Sequence, residues 1–145
     1  MILYLDTSAL VKLYVRERGS AEVRAQVDKA DAIATSVVAY VEARAAFARL
    51  RRERPASGKR HHERVGQLDR DWDHYARIEL TAAVVRSAGE LAEQHSLRGF
   101  DAIHLASALW MKSVHTGDLA FAAFDGALVA GAQAAGLTIT PQRKR

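Results

Sequence analysis

Ile2-Leu3-Tyr4-Leu5-Asp6-Thr7-Ser8-Ala9-Leu10-Val11 decides how the whole chain reads. Four apolar residues in a row, stopped by an acid and two hydroxyls, describe a short buried strand that passes directly into a helix. A strand without polar alternation is covered on both faces, as central strands of parallel sheets are. Thr7 or Ser8 is placed to cap the helix, which extends to about Val15 with Leu10, Leu13 and Tyr14 on one face.

The pattern repeats outward from this opening. Gly19 and Ser20 interrupt the helix, and a second runs to about Lys29. Ala32 to Thr35 reads as a strand, and Ser36 as the cap of a long helix through about Glu53 that Pro55, Ser57 and Gly58 terminate. A helix over His61 to Tyr75 and a strand over Ile78 to Leu80 follow. Thr81 caps a helix to about Gln94, and Gly99 precedes one from about Phe100 to Lys112. Ala120 to Phe124 is a strand, Gly126 to Ala135 a helix, and Leu137 to Thr140 a last strand before Pro141. Alternating strands and helices build right-handed βαβ units. The expected fold is α/β: three α/β/α layers around a central parallel sheet of about four to five strands, in a single domain over residues 1–145.

Composition narrows the function classes. A chain of 145 residues suits one core, and 49% hydrophobic with 26% charged residues is ordinary for a globule. No apolar run approaches the roughly 20 residues that span a bilayer, so no membrane partner is expected. The stretch MILYLD has no basic region ahead of its apolar residues and is not read as a signal peptide. The absence of cysteine excludes disulfides, thiolate metal sites and cysteine nucleophiles, and agrees with a cytoplasmic location. The net charge of +4 admits nucleic acid or an acidic partner. Arg49, Arg51, Arg52, Arg54, Lys59 and Arg60 form a basic cluster, and Arg143, Lys144 and Arg145 another. A solvated helix end and a frayed tail account for these runs when they are taken alone.

Open parallel sheets bind ligands beyond the carboxyl ends of their strands. Asp6 follows the first strand and Asp125 the fourth, so both fall where a site belongs. Glu42 shares a helix face with Val38, Ala45 and Ala46, and Asp101 opens a helix whose same face carries His104, Leu105 and Ala108. Singly, each acid has an ordinary structural role: turn or cap for Asp6 and Asp125, dipole partner for Asp101, an ion pair with Arg98 for Glu42. Together they repel one another unless a cation neutralises them. Oxygen ligands without a His or Cys cluster suit Mg²⁺ or Mn²⁺ rather than zinc. A His104 one turn after Asp101 is first a satisfied core histidine.

The segments Ile2 to Val11, Tyr40-Val41-Glu42-Ala43-Arg44, Leu97-Arg98-Gly99-Phe100-Asp101-Ala102-Ile103-His104-Leu105-Ala106 and Phe124-Asp125-Gly126-Ala127-Leu128 resemble, in order, the four characteristic regions of PIN-domain nucleases. They are most similar to the VapC toxins of VapBC toxin–antitoxin pairs. The resemblance implies a Mg²⁺- or Mn²⁺-dependent endoribonuclease that cuts RNA of the tRNA or rRNA class with a metal-activated water. It implies that Asp6, Glu42, Asp101 and Asp125 are the catalytic metal ligands, with Ser8 or Thr7 orienting a carboxylate or a water. It also implies a cognate antitoxin and a homodimer. Ala123 stands where such chains often carry Thr, which leaves Asp118 as a substitute for Asp125, although Asp118 precedes its strand. Arg49, Arg52 and Lys59, on or just beyond the Glu42 helix, are candidate contacts to RNA phosphates or to the antitoxin.

Other classes fit less well. A haloacid-dehalogenase-type phosphohydrolase needs a second Asp where Ser8 stands, a receiver domain needs an acidic pair before its first strand, and no Gly-rich turn follows the first strand here. The remaining alternative is a catalytically silent PIN-like module that only binds RNA or protein.

Overall fold

The computed structural model describes residues 1–54 and 58–141. Among these residues, five strands, β1 (Ile2–Leu5), β2 (Ala32–Ser36), β3 (Ala76–Ile78), β4 (Leu119–Ala122) and β5 (Thr138–Thr140), form one sheet in the order β3-β2-β1-β4-β5. Every neighbouring pair is parallel, with Ile2 opposite Ala32 on one side of β1 and opposite Leu119 on the other. The α/β/α architecture expected from the sequence is the one observed.

Among the described residues, seven helices cover the sheet: α1 (Thr7–Val11), α2 (Ser20–Lys29), α3 (Val38–Glu53), α4 (Gly58–Trp72), α5 (Ala82–His95), α6 (Gly99–Val114) and α7 (Gly126–Ala134). The alternation of β1 divides the core between its two faces. Ile2 and Tyr4 pack with Phe121 and with Val84, Leu105 and Leu128 from α5, α6 and α7. Leu3 and Leu5 pack with Leu10, Val23, Phe47 and Leu68 from α1 to α4. All four β1 side chains are buried, as an uninterrupted apolar strand demands. The chain builds the sheet from β1 outward to β3, then returns to place β4 against the other side of β1. The strand order therefore reverses between β1 and β4, and a cleft opens beyond their carboxyl ends.

Several element ends differ from the sequence expectation, each for a local reason. The first helix stops at Val11 rather than Val15, because Ser20 reaches back to the turn. Its hydroxyl donates to the Val15 carbonyl and accepts from the Glu17 N–H, while Gly19 takes a left-handed φ of 92°. Asp6, not Thr7 or Ser8, caps α1: its backbone is extended, and its carboxylate accepts from the Ala9 N–H at 2.8 Å. Val37, not Ser36, precedes α3, although Ser36 Oγ still accepts from the Val38 N–H at 3.3 Å. The helix expected over His61 to Tyr75 is α4, and β3 lies two residues earlier than expected because its ladder with β2 pairs Ala34 with Ala76. Thr81 caps α5 as expected, through the Val84 N–H. Pro55, Ser57, Arg143, Lys144 and Arg145 lie outside the described residues. No helix among the described residues is long and apolar enough to cross a membrane.

Candidate active site

The four acids singled out in the sequence line one cleft of about 300 Å³, together with Thr7, Ser8, Glu17, Arg98 and His104. Each arrives from a different element. Asp6 follows β1 at the strand-order reversal, where its N–H bonds to the Ala122 carbonyl of β4 at 3.1 Å. Glu42 comes from the second turn of α3, Asp101 from the first turn of α6, and Asp125 from the N-cap of α7. Asp118 lies at the opposite edge, where its carbonyl accepts from the Ile2 N–H at the start of β1. Of the two acids that the sequence left open, Asp125 lines the cleft and Asp118 does not.

The carboxylates are not equivalent. Asp6 is buried and accepts from the Ala9 N–H and from the Ser8 hydroxyl at 2.8 and 3.0 Å. Burial pushes its carboxyl above the usual carboxylate range, and the Asp101 charge adds to that effect against the lowering from His104, Ala9 and Ser8. Asp101 is 17% exposed and accepts from Arg98 Nε at 3.0 Å, while Arg98 Nη2 lies 3.8 Å from Asp125. Arg98 is thereby a cation shared between two acids, rather than the partner of Glu42 considered from sequence.

Glu42 is half-buried at the margin of its helix's apolar stripe. That stripe runs through Ala39, Ala43 and Phe47, one position out of phase with the expected Val38-Glu42-Ala46 line. Glu42 therefore looks across the cleft instead of into the core. Its Oε1 accepts from the Thr7 hydroxyl at 2.5 Å and meets His104 Nε2 at 3.1 Å. Burial raises its pKa, but the hydrogen bonds from His104 and Thr7, with the charge of Arg98, outweigh that and hold it below the ordinary value.

Two expectations about neighbouring groups can be placed exactly. Ser8 touches Asp6 and Thr7 touches Glu42, so both hydroxyls orient carboxylates. His104 is a buried and fully hydrogen-bonded histidine, yet its partners are Thr7, Glu42 and Tyr4, which ties the core to the site. Arg49, Arg52 and Lys59 are exposed and do not line this cleft; Arg49 pairs with Glu53 at 3.1 Å. Sequence reasoning missed Glu17, which lines the cleft from the turn after α1 and pairs with Lys12 at 2.9 Å. No helical or strand periodicity marks it.

The donor set favours a hard divalent cation. It offers carboxylate and hydroxyl oxygens, no thiolate, and a histidine whose two nitrogens are already engaged. Among the described residues, no three acidic or histidine side chains form a ready-made cage. Such an open, carboxylate-lined arrangement suits Mg²⁺, which keeps several waters and binds through one or two carboxylates.

Fold and site together define an α/β protein of the PIN class. The chain belongs to that family: the PIN-domain model matches residues 3–127, a stretch that contains all four acids. Among curated proteins it is 40% identical over 144 residues to Ribonuclease VapC45 of Mycobacterium tuberculosis (strain CDC 1551 / Oshkosh), covering 97% of this chain and 95% of the relative. It is 33% identical over 145 residues to Ribonuclease VapC47 of the same strain, covering 97% of each. In structure it resembles Mycobacterium tuberculosis VapC20, a sarcin-ricin loop cleaving toxin, with a TM-score of 0.64, 20% identity and coverage of 94% and 96%. It matches VapBC2 from Rickettsia felis, bound to a DNA fragment from its promoter, with a TM-score of 0.64, 16% identity and coverage of 96% and 97%. At these identities the structural likeness speaks for the fold alone.

Proposed function

We propose that this protein is a Mg²⁺- or Mn²⁺-dependent endoribonuclease that acts as the toxin of a toxin–antitoxin pair. The observation that carries the reading is the convergence of Asp6, Glu42, Asp101 and Asp125 on one cleft at the strand-order reversal. The 40% identity to a ribonuclease along nearly the whole chain supports the RNA substrate. When bound, a divalent cation supplies charge neutralisation at the scissile phosphate and lowers the pKa of a coordinated water. Asp6 and Asp101 would hold it through their carboxylate oxygens, and Glu42 and Asp125 line the same cleft.

The chain's own groups prepare this site. The Ser8 hydroxyl and the Ala9 N–H fix the Asp6 carboxylate, and Thr7 fixes Glu42, so a cation meets oriented oxygens. Arg98 moderates the repulsion between Asp101 and Asp125, and its side chain is 80% exposed, within reach of a phosphate at the mouth of the cleft. Arg49, Arg52 and Lys59 extend the positive surface away from the cut, along flanking RNA or an antitoxin. A cognate antitoxin is proposed as the partner because the chain is 40% identical to a VapC ribonuclease along nearly its whole length, and the proposed location is the cytoplasm.

The test is digestion of a long RNA by the purified protein in Mg²⁺, Mn²⁺ or EDTA, beside Asp6→Asn and Asp101→Asn. Cleavage that needs the metal and vanishes in both variants is expected. Cleavage that survives EDTA, or either substitution, overturns the reading, and a folded wild type that binds RNA without cutting it leaves the silent module.

A further inference from the structure

We propose that Tyr4 and His104 are positioning residues that hold the Glu42 carboxylate from inside the core and so set the affinity of the cleft for a divalent cation. The proposal rests on the metal-dependent reading above and assigns to it two residues that never touch the cation.

Direction in the hydrogen-bond chain carries the inference. His104 Nε2 faces Thr7 Oγ1 at 2.9 Å and Glu42 Oε1 at 3.1 Å. The Thr7 hydroxyl spends its one proton on Glu42 Oε1, 2.5 Å away. Both neighbours of Nε2 therefore offer lone pairs, so Nε2 carries the hydrogen and donates. In the neutral ring, Nδ1 is then an acceptor, and the Tyr4 hydroxyl, 2.8 Å away, donates to it. The result is one directed path, Tyr4 to His104 to Thr7 and Glu42, that ends on a single carboxylate oxygen. Glu42 Oε2 makes no hydrogen bond among the described residues and remains available to the cleft.

Packing alone does not call for these groups. Tyr4 is fully buried on β1, stacked on Phe121 with ring centroids 5.4 Å apart and edge-on to His104 at 5.9 Å. A phenylalanine would make the same ring contacts. A buried hydroxyl is costly unless it is bonded, and this one bonds to His104 Nδ1. Ser107, one turn beyond His104 on α6, is also fully buried and lies beside the Tyr4 hydroxyl. Polar groups this deep in an apolar layer, continuous with the cleft, are what fixes a histidine ring whose far nitrogen orients a ligand.

The experiment titrates Mn²⁺ alone into the wild type, Tyr4→Phe and His104→Gln, by calorimetry without RNA. It is accompanied by kcat and KM on a long RNA and by melting in EDTA. Tyr4→Phe removes one oxygen and is expected to stay folded, to lose about tenfold in Mn²⁺ affinity, and to lower kcat with little change in KM. His104→Gln should show the same pattern more strongly; if it does not fold, Tyr4→Phe decides the matter. A purely structural role would lower the melting temperature in EDTA and leave Mn²⁺ affinity intact, which overturns the proposal. A wild type that binds no Mn²⁺ and cuts no RNA removes the metal-dependent reading itself, whereas a binding wild type matched by Tyr4→Phe removes only the positioning role.

Discussion

Asp125 does two things that substitution can separate. Its Oδ1 caps α7 through the Leu128 N–H at 3.0 Å, and its charge faces the cleft. Truncating an N-cap costs about 1 kcal/mol, and Asn caps as well as Asp. The Arg98 contact at 3.8 Å adds little, because Arg98 is 80% and Asp125 43% exposed and solvent screens the pair. Asp125→Ala should therefore lose about 1 kcal/mol, a fall in Tm of roughly 3–5 °C for a chain of this size. Asp125→Asn should melt close to the wild type. Cleavage of RNA should behave differently: both variants lack the carboxylate, so both should lose at least about tenfold in kcat/KM in Mg²⁺. Asp118→Asn, at the far edge of the sheet, serves as the control and should cut normally. The assays are thermal melting in EDTA and initial rates at saturating Mg²⁺. Full activity in folded Asp125→Asn would refute the reasoning and reduce Asp125 to a helix cap.

Further consequences follow from the same geometry. Asp6→Asn keeps an acceptor for the Ala9 N–H while removing a buried charge, so in EDTA at neutral pH it should melt no lower than the wild type, and higher if burial dominates; a clear loss of stability would mean that the charge is structurally required. Because the folded-state pKa of Asp6 is raised, the metal-free wild type should gain stability from this group as pH falls through that raised value toward the unfolded one, and Asp6→Asn should lack that rise in a melting series across pH. Arg98→Ala removes a cation that competes for Asp101 and Asp125, so calorimetry should show tighter Mn²⁺ binding without RNA; weaker binding would show that Arg98 organises the site instead. Arg49→Ala/Arg52→Ala in an Asp6→Asn background should weaken RNA binding and flatten its salt dependence, and an unchanged slope would exclude both arginines from phosphate contact.

The sheet and the acids at its edge are legible in the sequence because both follow from short-range rules. Ile2–Leu5 has no polar alternation, and β1 is accordingly covered on both faces. Asp6 and Asp125 follow strands that must point the same way in a parallel sheet, so their convergence is a matter of topology. Other features depend on tertiary context. Periodicity continues to Val15, yet Ser20 and Gly19 fold the chain away after Val11. The Glu42 stripe is out of phase because an acid at the margin of a packed face carries the same spacing as one at its centre. The strand Ile78–Leu80 shifts because ladder register, not local propensity, sets where β3 begins. The Tyr4–His104 link joins residues 100 positions apart, and no local pattern distinguishes that tyrosine from an apolar neighbour.

Crystals grown in Mn²⁺ and measured at its absorption edge test the central claim most directly. An anomalous peak in direct contact with Asp6 and Asp101, absent from Asp6→Asn crystals grown alongside, is the expected result. A cleft without such a peak in crystals saturated with Mn²⁺, or a peak confined to surface acids elsewhere, would contradict it.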